Sequence, residues 1–180
     1  SSTLFLFYVD GRLQAPGWEG PLLVLFFLAA ALSSPVWSTL ARRFGPKRVL
    51  LAAMALAVLS FGYTLRLGAG DQVAFAVVCV LSGASIGADL TLLPAMFARR
   101  MATVSPNGGQ GFGLWSLVNK LTLAFAAALL LPLLEQAGFQ SSGGSTAQAL
   151  TLLTWFYAGV PCVLKLLAIA LLSATRLEDE

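Results

Sequence analysis

The chain has 180 residues, 58% hydrophobic and 11% charged, with no histidine and a formal net charge of +3. A soluble domain carries roughly 25% charged residues, so the composition excludes a soluble globular domain and indicates a membrane protein. The positive balance is not a nucleic-acid footprint, because the basic residues collect at the ends of apolar runs, where they set topology.

In chain order, Thr3 to Val9 is an apolar stub that covers only about 10 Å at the helical rise of 1.5 Å per residue. It has no basic n-region and no small-residue cleavage site, so it does not read as a signal peptide. The chain opens on Ser1 without an initiator Met, and the expectation is a partial span, residues 1–9, with a segment upstream of it. Full spans are expected at 20–41, 47–67, 72–98, 110–135 and 147–174, each reaching the ~20 apolar residues that cross hydrocarbon. This is an all-α, polytopic transmembrane helical bundle.

The connection 42–48 carries Arg42, Arg43, Lys47 and Arg48 around Gly45, the connection after residue 98 carries Arg99 and Arg100, and the tail carries Arg176. The opposite connections hold only Arg12 and Arg66, with Asp10, Glu19 and Asp71 close by. The positive-inside rule therefore places the first set, and the C-terminus, in the cytoplasm.

Pro35, Pro94, Pro132 and Pro161 fall within spans, where each frees a carbonyl and kinks its helix. Gly83 and Gly87 stand four apart, a spacing that lets helices approach closely. Gly83-Ala84-Ser85-Ile86-Gly87 also matches the Gly-x-Ser-x-Gly pattern of serine hydrolases. A nucleophile elbow needs a strand-to-helix turn and a His base, however, whereas this serine lies mid-span in a chain without histidine. The same absence removes a His-Glu-x-x-His zinc site and any imidazole relay. No enzyme activity and no catalytic or metal-binding residue is expected.

Gly108 to Gly113 is not a phosphate loop, since no strand precedes it and no Gly-Lys-Ser/Thr follows; it reads as a flexible entry to the next helix. Ser145 or Thr146 is expected to cap the last span. Cys79 and Cys162 lie inside spans without ligand spacing and read as small core residues.

The informative charges are those inside spans. Asp89 lies ten residues before Arg99, Lys120 eleven after Gly109 and Lys165 eleven before Arg176, so all three lie about 15 to 16 Å from the cytoplasmic edge. In a hydrocarbon core of ~30 Å this is one layer near the midplane, the depth at which secondary transporters place substrate and coupling-ion sites. A lysine at the centre of a transmembrane helix costs about 2.5 to 3.5 kcal/mol on insertion scales unless something receives it. Two bases and one acid leave the layer positive, so the expectation is that a carboxylate facing Lys120 comes from outside these residues. The alternative is that Lys120 pairs with Asp89 and merely holds two helices together. Lys165 can snorkel along its stem toward headgroups or a carbonyl freed by proline.

Pro35-Val36-Trp37 through Arg42-Arg43-Phe44-Gly45-Pro46-Lys47-Arg48 resembles the basic loop between helices eight and nine of major facilitator transporters. Within that superfamily the chain most resembles the glycoside-pentoside-hexuronide:cation symporters of the melibiose permease type. The resemblance is carried by Phe7-Tyr8-Val9 before a short outer loop, Gly83 with Gly87, Lys120 followed by Ala124-Phe125-Ala126-Ala127, Gly138-Phe139, and Ser145 to Leu150 followed by Pro161. It covers the whole chain as the C-terminal six-helix half, its first helix truncated, of a twelve-helix protein.

What the resemblance implies is cation-coupled transport of a sugar or glycoside by alternating access, in a bacterial-type inner membrane. Lys120 would then occupy the helix-eleven lysine position beside the sugar and the carboxylates of the N-terminal half. Asp89 would join it in substrate or cation coupling, Trp115 and Tyr8 would offer faces to a sugar ring, and Na+ or H+ would be the coupling ion, with no other cofactor. The partners expected are a small-molecule substrate, membrane lipid and the N-terminal transporter half, but no nucleic acid. Two departures stand out: Ala98-Arg99-Arg100-Met101 replaces the acids common at the cytoplasmic end of helix ten, and Lys165 stands at an apolar position. A lysophospholipid or other amphiphile symporter of the same family, and a channel or non-transporting scaffold, are the competing readings.

Overall fold

The computed structural model describes residues 5, 8–9, 17–68, 70–104, 109–136 and 153–174. Helix α1 spans Glu19–Phe44, α2 Pro46–Thr64, α3 Gln72–Val104 and α4 Gly109–Gln136. A π-helical turn, Trp155–Gly159, leads into α5, Val160–Ala174. Among the described residues five helices are long and apolar enough to cross a membrane, and no strand occurs. The fold is therefore the all-α membrane bundle that the composition demands. The expected cap at Ser145 to Gln148, the stretch at Gly138-Phe139, and Arg12 and Arg176 lie outside the described residues.

Between α1 and α2 a single residue, Gly45, leaves the helical conformation. Its φ of 86° is a left-handed value that glycine adopts without a Cβ clash. The Gly45 N–H closes α1 on the Ala41 carbonyl at 3.0 Å, and Pro46 opens α2 at a position where no N–H is required. The basic connection is thus mostly helix: Arg42 and Arg43 form the last turn of α1, and Lys47 and Arg48 the first turn of α2. At the other end of α2, the Asp71 carboxylate accepts the Gly68 N–H at 2.9 Å.

The π turn has a local cause. Pro161 has no N–H for the Tyr157 carbonyl, and in a regular helix its ring would collide with that carbonyl. Widening the turn just before it relieves the collision, and the Val160 N–H bonds five residues back to the Trp155 carbonyl.

Helix packing follows the small residues. α3 lies against α1 at Gly83 and Gly87, where an added methyl would overlap the carbonyl oxygens of Phe26 and Ala30 respectively. Such contact is what holds helices together in lipid, where apolar burial alone drives little association. α2 packs on both α3 and α5.

Two clusters form the core. One gathers Phe5, Tyr8, Val9, Leu22, Phe75, Val78, Cys79, Leu153 and Tyr157. The other, at the end bearing Arg42 to Arg48, gathers Val49, Leu50, Ala53, Met54, Ala88 and Leu92, with Trp37, Met96, Ala168 and Ile169 against them.

Candidate functional site

Of Asp89, Lys120 and Lys165, the three charged residues expected at one depth, two meet. The Lys165 ammonium on α5 forms an ion pair and hydrogen bond with Oδ2 of Asp89 on α3. Their side chains are 21% and 18% exposed, so the two charges are shielded to a similar degree. The other carboxylate oxygen, Asp89 Oδ1, is buried and has no hydrogen-bond donor among the described residues. Lys165 therefore points at a carboxylate rather than snorkelling to headgroups. Asp89 has Lys165 as its partner, which displaces the alternative pairing with Lys120.

Lys120 is exposed on α4 and has no carboxylate partner among the described residues. Within its span, Gly109–Leu129, no residue is buried. The helix touches α3 near its start: Phe97 meets Phe112 edge-on at 5.3 Å and Trp115 at 4.8 Å between ring centroids. Gly111 sits under Met101, where a side chain would collide. Gly109, Gly111 and Gly113 thus belong to α4 itself and do not form the flexible entry expected of them; Gly108 lies outside the described residues. Trp115 is five residues from Lys120, about 140° round the helix, so the face that rests on Phe97 is not the face that carries the lysine.

Tyr8 has no face to offer a ligand in this arrangement. It is fully buried, stacked on Tyr157 at 4.8 Å and tilted against Phe75 at 5.3 Å. Its hydroxyl donates to the Thr64 carbonyl at 3.0 Å, which ties the first described residues to the end of α2. Burial of both ring and hydroxyl makes it a core residue, and the sugar-facing role expected of it is corrected accordingly.

The sequence reading missed the polar contacts between α1 and α3. Trp37 Nε1 donates to the Ala84 carbonyl at 2.8 Å, and Ser33 Oγ lies 3.2 Å from the same oxygen. Ser33 and Trp37 stand four apart, at helical spacing, but nothing in that spacing names α3 as the helix they meet. Ser85 is buried mid-helix with its hydroxyl on the Leu81 carbonyl at 3.0 Å, so the Gly-x-Ser-x-Gly match is a packing feature. Among the described residues no three His, Cys, Asp or Glu side chains gather to hold a metal.

A family model described as MFS/sugar transport protein matches residues 1–179. The chain belongs to the MFS/sugar transport protein family. No curated protein and no solved structure matched it. It is an integral membrane protein of a family that transports sugars across membranes, so its substrates are small molecules. In this MFS/sugar transport protein the three residues expected at one depth resolve, among the described residues, into an ion pair, Asp89 with Lys165, and an exposed Lys120.

Proposed function

We propose that this MFS/sugar transport protein carries a sugar or glycoside by symport with Na+ or H+, through alternating access. The chain supplies the C-terminal six-helix half, in a bacterial-type plasma membrane with the basic α1–α2 connection and the C-terminus in the cytoplasm. Lys120 faces a central cavity, where carboxylates from the N-terminal half receive its charge and exchange it with the coupling cation. Substrate occupies the same layer, so that binding and coupling share one set of charges.

One observation supports this reading above the others. Once Asp89 and Lys165 have neutralised each other, Lys120 remains as a midplane cation on a helix whose span has no fully buried residue among the described residues. An ammonium at that depth requires an acceptor, and a carboxylate from the opposite half is the one that also explains coupling.

The test is gradient-driven uptake of radiolabelled hexoses and methyl glycosides by membrane vesicles containing the full-length transporter. Wild type is expected to show saturable uptake and counterflow, which a channel or scaffold does not. Lys120→Ala is expected to abolish gradient-driven uptake while membrane insertion is retained. Undiminished active uptake by Lys120→Ala would overturn the assignment.

A further inference from the structure

We infer that Asp89 and Lys165 act as a charge-neutral clasp between α3 and α5, each residue present for the sake of the other, with Asp89 left out of the coupling-ion site. The pair is formed wholly within this chain. α3 packs mainly on α1 and also on α2, whereas α5 packs on α2, where it is fastened by Cys162 Sγ at 3.6 Å from the Val58 carbonyl. The ion pair adds a direct tie from α5 to α3.

It lies beside the second core cluster: Ala88, next to Asp89, is fully buried, and Ala168 and Ile169, about one turn beyond Lys165, pack on the same cluster. Because Oδ1 has no donor, the Asp89 charge rests on Lys165 alone among the described residues. An ammonium and a carboxylate entering the bilayer together carry no net charge, whereas either one alone is costly.

A clasp and a coupling site respond differently to substitution. Removing one member of a shielded ion pair strands the other, while replacing both by neutral groups of similar size is often tolerated. In a coupling site the carboxylate is needed for its own chemistry, so also neutralising its lysine partner rescues nothing.

The experiment compares Asp89→Asn, Lys165→Met and the double variant in the full-length transporter, by membrane abundance and apparent Tm in detergent. Each single variant is expected to lower Tm by on the order of 5 °C, and the double to lie within about 2 °C of wild type. Destabilisations that simply add, leaving the double below either single, would overturn the clasp.

A second arm rests on the transport reading and uses gradient-driven uptake of a radiolabelled methyl glycoside. The double variant is expected to keep at least about half of wild-type uptake, since two neutral groups of similar size in place of the pair leave the cavity unchanged. A stable double variant without uptake, beside an active wild type, would overturn the exclusion of Asp89 from coupling. A wild type that does not take up the probe would count against the transport reading, and the Tm comparison still decides the clasp.

Discussion

Replacing Gly83 by alanine puts a methyl where the backbone of α1 already stands. The added Cβ overlaps the Phe26 carbonyl oxygen and comes within 3.1 Å of the Phe26 carbonyl carbon and 3.2 Å of the Ala29 Cβ. The obstructing atoms are mainly backbone, so no rotamer change clears them and α1 must move away from α3. That movement also stretches the bonds from Ser33 and Trp37 to the Ala84 carbonyl, now 3.2 and 2.8 Å.

Overpacking of this kind costs about 1 to 3 kcal/mol, against a gain of up to about 1 kcal/mol from alanine's helix propensity. The net loss corresponds to a fall in apparent Tm on the order of 5 °C. The assay is a thermal melt of purified protein in detergent, with Gly62→Ala as the control. Gly62 is also helical but has open space where its Cβ would stand, so alanine there is expected to leave Tm unchanged or slightly raised. Equal melting of the two variants would refute the close α1–α3 contact as a source of stability.

Trp37→Phe keeps the ring but removes the indole N–H from the Ala84 carbonyl, and is expected to cost about 0.5 to 1.5 kcal/mol, read as a lower Tm. Tyr8→Phe keeps the stack on Tyr157 and loses the hydroxyl's bond to Thr64, with an expected loss of about 1 kcal/mol in the same melt and no change in uptake. A large uptake defect in stable Tyr8→Phe protein would restore Tyr8 to the site.

Much of the fold was legible because bilayer chemistry leaves few alternatives. Uninterrupted apolar runs must be helices, since every backbone polar group needs an internal partner in hydrocarbon. Gly83 with Gly87 announced a close crossing, whereas the connection expected over 42–48 narrows to Gly45 alone. The partner of that crossing, the stripe of Phe26, Ala30, Ser33 and Trp37, was not legible, because small-residue spacing marks one helix and leaves its neighbour unnamed.

Depth counting brought Asp89, Lys120 and Lys165 to one layer. It could not assign Asp89 to Lys165, because depth carries no information about rotation around the helix axis. Rotation also decided Tyr8: an aromatic near a span end suits a binding cavity or a core equally well, and only its contacts with Phe75, Tyr157 and Thr64 place it in the core. The π turn before Pro161 was foreshadowed as a kink, though not as a widened turn.

The central claim, that Lys120 faces an aqueous cavity and not lipid, is tested most directly by thiol labelling at that position. The probe is Lys120→Cys in the full-length transporter, with Cys79 and Cys162 replaced by serine, treated with a small charged methanethiosulfonate reagent with and without the transported glycoside. Labelling by the charged reagent that slows when the glycoside is present is the predicted result. Labelling only by a lipid-soluble maleimide, at a rate the glycoside does not change, would contradict it.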